Sequence, residues 1–224
     1  MAVSNYCIEW LKNKFQSKYE IELLYNTINL KKVLKLSRFE GPDYSEKRYK
    51  VIMALAHTVK SKGFDIFLNV ADKASSNYKF IWIGKKEELG KEEAEKIELI
   101  NKKNDYEKIQ VFDYNPNPFP LIKKCDIYFL PSLDESFGLS YLEAFIFGKF
   151  VIAPSTTGFS EIIEKNSNLA LIYNNIQEVF ELLNSNEIDH LIRNFKEERL
   201  HIAKKFDNNN FNKNIIEILY KYTK

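Results

Sequence analysis

Pro131-Ser-Leu-Asp-Glu135-Ser-Phe-Gly138-Leu-Ser-Tyr-Leu-Glu143 is the stretch whose reading decides the fold of this chain. It follows an apolar run, Ile127-Tyr128-Phe129-Leu130, that reads as a buried strand, and it leads into Ser140–Phe147, which reads as a helix. Strand, loop with one glycine, helix is the place where an α/β sheet receives an anion. The first N–H groups of a helix lack partners inside it, and with the helix dipole they bind phosphate. Gly138 lets a ligand approach the backbone there. Two carboxylates flank the turn, Glu135 before it and Glu143 about one turn into the helix. An ionised carboxylate only accepts hydrogen bonds, so beside a phosphate site it calls for neutral hydroxyls, such as those of a sugar or a ribose.

Working outward, strands of four to seven residues alternate with helices. Val51–Ala56, Lys79–Gly84, Ile109–Phe112, Ile127–Leu130, Phe150–Ala153 and Leu169–Tyr173 read as strands. Helices are expected at 4–16, Gly63–Ser75, Leu89–Lys103, a short turn to Lys124, Phe159–Glu164, Ile176–Leu183, Ile188–Lys205 and Asn209–Tyr222. This alternation predicts an α/β fold, a Rossmann-like parallel sheet flanked by helices. Ligands of such a sheet lie beyond the carboxyl ends of its strands. Lys62, Gly84, Tyr114 and Glu135 all follow strands, so they are expected on one edge.

The residues resemble a family. Glu135-x7-Glu143, set in Pro-Ser-x-x-Glu-Ser-Phe-Gly-Leu-x-x-x-Glu-Ala, is similar to the donor-site signature of retaining GT-B glycosyltransferases of the glycosyltransferase family 4 type (glycosyl transferases group 1). Gly148-Lys149-Phe150-Val151-Ile152-Ala153, then Ser155, Gly158 and Glu161, continue the match, as do Lys62-Gly63-Phe64-Asp65 and Phe80-Ile81-Trp82-Ile83-Gly84. The resemblance runs from about Ser4 to about Tyr173, and four motifs in order carry more weight than one.

It implies the C-terminal, donor-binding half of a GT-B fold, with most of the N-terminal domain absent. Residues 1–28, read as a Ser4-capped helix and a strand Tyr19–Tyr25, would be the remnant of an N-terminal domain. Residues 29–48 would be a connector containing Gly41-Pro42-Asp43, and residues 49–224 the nucleotide-sugar-binding domain. The implied reaction is transfer of a sugar from a nucleotide-diphosphate sugar with retention, without a metal and without any cofactor beyond that substrate.

By the same resemblance Glu135 is the catalytic residue at the donor sugar, and Glu143 holds the ribose. Lys62, His57, Phe137, Gly138, Leu139 and Ser140 meet the donor phosphates. Tyr114 and Asn115 meet the base, and Gly84 lies on the donor edge. The family carries a Gly-Arg pair before the lysine. Ser37-Arg38 mimics that pair, but counting back from Lys62 puts Ala56-His57 in its place. A histidine there replaces a permanent bidentate cation with a group mostly neutral at pH 7.

Composition narrows the alternatives. The 224 residues carry 33 basic and 31 acidic side chains, a net charge of +2, which gives no electrostatic footprint for nucleic acid or an anionic membrane. Cys7 and Cys125 make neither a disulfide framework nor a metal site, and Cys125 reads as a small core residue. With no apolar run near the roughly 20 residues of a membrane span and no signal-peptide core, a cytoplasmic protein, free or peripheral at a membrane, is expected. The acceptor is left open. Its domain would come from a partner chain or from the protein's own oligomer. A competing reading is a non-catalytic nucleotide-sugar-binding or assembly module. A nucleotide-sugar epimerase is a third, for which no acid–base pair is visible.

Overall fold

The computed structural model describes residues 1–15, 20–41, 48–163 and 167–223. Tyr19, Pro42-Asp43 and Glu164, where the expected strand, connector and helix extend, lie outside the described residues. In chain order the elements are α1 (Asn5–Phe15), α2 (Leu30–Leu36), β1 (Lys50–Leu55), α3 (Phe64–Lys73), β2 (Tyr78–Gly84), α4 (Lys91–Lys102), β3 (Ile109–Asp113), α5 (Phe119–Ile122) and β4 (Ile127–Phe129). They continue with α6 (Leu139–Ile146), β5 (Phe150–Pro154), β6 (Ala170–Tyr173), α7 (Ile176–Leu183), α8 (Ile188–Arg193), α9 (Lys196–Lys205) and α10 (Asn208–Tyr222).

Among the described residues six strands form one sheet in the order β3-β2-β1-β4-β5-β6. Every pairing is parallel. Helices cover both faces of such a sheet, so its strands bury both faces and read as continuous apolar runs. Phe-Ile-Trp-Ile in β2 and Val-Ile-Met-Ala in β1 do so, each residue almost wholly shielded from solvent. The core is aromatic at its centre. Phe67 of α3 meets Phe80 at 5.5 Å, Trp82 at 5.1 Å and Phe129 at 5.9 Å, the first two edge-to-face, the geometry that ring quadrupoles favour. Phe64, Leu68 and Ala71 share that inner face, as the helical period predicts.

The chain order reverses between β1 and β4. Their ladder is short, Ile52↔Ile127 and Met53↔Tyr128, and beyond it the two following loops lie side by side. They are locked to each other. Gly63 has φ +73°, and a Cβ there would sit 1.9 Å from the Pro131 carbonyl oxygen, so glycine is required by both conformation and space. The Leu133 amide donates to the Ser61 carbonyl at 3.0 Å, and the Ser132 hydroxyl donates to it at 3.3 Å.

Four expectations need correction. The strand expected at Tyr19–Tyr25 is a single parallel bridge, Ala2↔Leu23, because its partner segment turns into α1 three residues later. The connector contains a helix, α2, capped by Asn29, whose side chain accepts from the Lys32 amide at 2.9 Å. Leu30, Val33 and Leu34 supply the helical spacing of apolar residues within it. The helix expected at Phe159–Glu164 is a 3-10 turn, Gly158–Ile162. The long helix expected at Ile188–Lys205 is two, α8 and α9, broken at Asn194-Phe195, where Phe195 takes φ +62°.

A buried cation explains that break. The Arg199 guanidinium donates to the carbonyls of Leu169, Gly148, Asn194, Asn168 and Leu191. A straight helix would consume the Leu191 carbonyl in its own ladder. Burial lowers the Arg199 pKa from 12.5 to about 10.

Candidate donor-binding site

The site grows from the loops at the carboxyl edge of the sheet. The loop after β1 ends in a 3-10 turn, Lys60–Lys62, that Gly63 terminates. This turn aims Lys62 across the crossover, where its Nζ meets Glu135 Oε2 at 2.9 Å, both side chains partly shielded. The lysine expected at the phosphates and the carboxylate expected at the sugar are therefore neighbours, and in the free protein each is the other's counter-ion.

The loop carrying Glu135 is held from three sides. The Gly158 amide donates to the Glu135 carbonyl at 3.1 Å. The Ser4 hydroxyl donates to the Ser136 carbonyl at 2.6 Å while accepting from the Cys7 amide at 3.1 Å as the cap of α1. The Phe137 ring is buried against Tyr25 at 5.6 Å and Phe206 at 5.8 Å. Phe137 can thus offer a ligand only its backbone. Gly138, φ +86°, starts α6 where any Cβ would strike the Tyr141 ring at 2.3 Å. Leu139 and Ser140 form the first turn of α6 beside it.

Glu143 lies further along α6, half-buried, with no hydrogen bond or ion pair among the described residues. Burial alone raises its pKa from 4.5 to about 7. Beside it the Tyr128 hydroxyl is buried without a hydrogen bond of normal geometry, with Ser140 and the Leu55 backbone as its other polar neighbours. Burial pushes that phenol well above its ordinary value. Such orphaned groups are rare in a finished interior, and this one stands next to an unpaired carboxyl.

The second part of the site is a cleft of about 520 Å³ at the ends of β1, β2 and β3, lined by Ala56, His57, Gly84, Lys85, Tyr114 and Asn115 among others. That is a volume suited to a small molecule. Gly84 sits tight against β1, since a Cβ would approach the Ala56 carbonyl oxygen to 2.0 Å. Tyr114 is 72% exposed, so its face is open for stacking. Asn115 Oδ1 accepts from the Asn117 amide at 2.9 Å, which shapes the loop. His57 Nδ1 lies 3.0 Å from both carboxylate oxygens of Glu88.

All the candidate residues thus come to one edge, but in two groups. Lys62, Glu135, Gly138 and Glu143 follow the β1–β4 crossover, while His57, Gly84, Tyr114 and Asn115 line the neighbouring cleft. Sequence reasoning missed Lys85 and Glu88. Both sit in a run of four charges after Gly84 that reads as solvated, and the end of β2 brings Lys85 to the cleft and Glu88 to His57.

Comparison with known proteins settles the family. The glycosyl transferases group 1 family matches residues 40–209. The chain belongs to this family. The chain is 28% identical over 203 residues to an uncharacterized 41.2 kDa protein in the cps region of Klebsiella pneumoniae, covering 88% of this chain and 52% of that protein. It is 26% identical over 151 residues to the O-antigen biosynthesis glycosyltransferase WclY of Escherichia coli, covering 67% of this chain and 38% of the relative. The fold is similar to that of Anabaena Alr3699/HepE, solved in complex with UDP and glucose: TM-score 0.78, 20% identity, 98% of this chain and 62% of that one. The glycosyl transferases group 1 chain described here spans about half the length of the relatives it matches. No helix among the described residues is long and apolar enough to cross a membrane.

Proposed function

We propose that this chain is the donor-binding half of a glycosyltransferase that moves a sugar from a nucleotide-diphosphate sugar, with retention and without a metal ion. One observation carries the reading: Lys62 and Glu135 meet at the crossover of β1 and β4, with the unpaired Glu143 beyond them on α6. A diphosphate entering there replaces Glu135 as the counter-ion of Lys62. Glu135 is then released to accept from sugar hydroxyls, and Glu143 accepts from the ribose.

As the sugar–phosphate bond breaks, negative charge grows on the leaving diphosphate. In this reading Lys62, His57 and the amides around Gly138–Ser140 stabilise it, the kind of fixed electrostatic support that lowers such barriers most. Lysine, histidine and helix amides then fill the role a cation plays elsewhere. HepE was solved with UDP and glucose, so UDP is the first base to test. The acceptor domain, in this reading, comes from a partner chain or a second copy.

Calorimetric titration of the purified chain with UDP, GDP, ADP and their sugars, with EDTA present, tests this. The expected result is micromolar binding of one nucleotide and a loss of about 1.5–3 kcal/mol in Glu143→Ala, as for hydrogen bonds to a charged group. Absence of binding by every nucleotide would refute the donor-site reading.

A second reading, a binding or assembly module without turnover, is favoured by His57 standing where the family pattern has arginine. Slow hydrolysis of the bound nucleotide sugar would support the enzyme. Tight binding without hydrolysis would support the module.

A further inference from the structure

His57 and Glu88 form a pair at the mouth of the cleft. Glu88 ends the 3-10 turn Lys86–Glu88 that follows β2, and the Thr58 hydroxyl donates to the Lys85 carbonyl at 2.8 Å, fixing this turn against the loop that carries His57. Both oxygens of Glu88 lie 3.0 Å from Nδ1 of the ring. Lys85 Nζ stands 3.8 Å from Glu88 Oε1. Lys85, Glu88 and Tyr114 flank this corner, with Asp113 accepting from the Lys86 amide beside them, and Glu88 is the group bonded to the ring.

A carboxylate only accepts, so Nδ1 must carry a proton. In the neutral ring Nε2 then holds the lone pair. That nitrogen is the one left for a ligand in the cleft, and a lone pair repels a phosphate oxygen. The ring can donate to an anion only after gaining a second proton.

We propose that Glu88 is a positioning residue that fixes the His57 tautomer and so makes phosphate binding in the cleft proton-linked. The proposal rests on the donor-site reading above. The bound phosphate and Glu88 then hold an imidazolium between two anions, the arrangement that favours the charged ring. Donor affinity therefore falls as the ring loses its second proton. An arginine at this position would hold its charge throughout.

The test is titration with UDP, GDP and ADP at pH 6, 7 and 8. Each titration is run in two buffers of different protonation heat, on the wild type, His57→Arg, Glu88→Ala and Glu88→Gln. Comparison with His57→Arg cancels the titration of the nucleotide itself and of Glu143. The wild type is expected to lose at least threefold more affinity than His57→Arg between pH 6 and pH 8, and to take up a fraction of a proton that His57→Arg does not. Glu88→Ala frees the neutral ring to present Nε2–H, so its pH dependence shrinks. Glu88→Gln can donate to Nδ1, so it binds more tightly than the wild type at pH 8.

Equal pH slopes and proton uptake in the wild type and His57→Arg, with nucleotide still bound, would overturn the proposal while leaving the donor site intact. A wild-type slope retained in both Glu88 variants would overturn the role of Glu88. Absence of binding in every variant at every pH would remove the donor site and this proposal with it.

Discussion

Glu143 carries the sharpest chemistry at the site, because it is a half-buried carboxyl with no cation paired to it among the described residues. In the folded chain it releases its proton near pH 7, in the unfolded chain near 4.5. Between those values the folded state binds more protons, so stability falls as pH rises from about 4.5 to about 7 and stays lower above. The cost is about 2–3 kcal/mol for a shift of this size in a half-buried group. Glu143→Gln removes it. Urea unfolding at pH 5 and pH 8 is expected to show the fall in stability between them reduced by about 2 kcal/mol in the variant. An unchanged difference would mean that Glu143 ionises normally in the folded protein. A carboxyl that weakens its own fold is the kind of position at which stability is traded for function, and the proposed function gives Glu143 such a use.

At the scale of elements, Arg199 decides how the C-terminal helices are cut. It ties the α8–α9 break to the loops before β5 and β6 through five carbonyls. Arg199→Met keeps the length of the stem but leaves those acceptors without their donor. The expected loss is about 3–5 kcal/mol, the range for removing one partner of a buried charged group, read as a lower urea midpoint. A loss below about 1 kcal/mol would show that water replaces the guanidinium. This device was invisible in the sequence. Lys-Glu-Glu-Arg-Leu-His reads as one more charged helical face, and nothing in the period marks one arginine as interior.

The parallel sheet, by contrast, was legible. Its strands are short apolar runs that can only be buried on both faces, and their positions held to within a residue or two. The glycines at the crossover were legible as well, because Gly63 and Gly138 follow strands and open helices. What stayed hidden was every contact between segments distant in sequence, Glu88 on His57 and Ser4 on Ser136 among them. Periodicity describes one element at a time and carries no information about such pairings.

Across the whole molecule the two ends of the chain are fastened to the body. Glu161 accepts from the Asn5 amide at 2.8 Å and the Tyr6 amide at 2.7 Å, the first turn of α1, where a carboxylate also meets the favourable end of the helix dipole. Lys221 of α10 pairs with Glu20 at 2.9 Å and with Glu22. Ile28 bridges Asp207, and the Leu30 amide donates to the Asp207 carboxylate at 3.1 Å. Glu161→Gln is expected to speed hydrogen exchange in the first turn of α1 by roughly tenfold, since about 1 kcal/mol or more of charge-assisted bonding is lost there. Unchanged exchange would place the anchor elsewhere. Ser4 gives this arrangement a practical meaning. Its hydroxyl holds the carbonyl next to Glu135, so the geometry of that loop is a property of the first residues as much as of the sheet. A protein engineer who trimmed the chain to begin at β1, or grafted this sheet onto another N-terminal half, would transplant the strands intact and still deliver a misaligned carboxylate. The smallest portable unit includes α1.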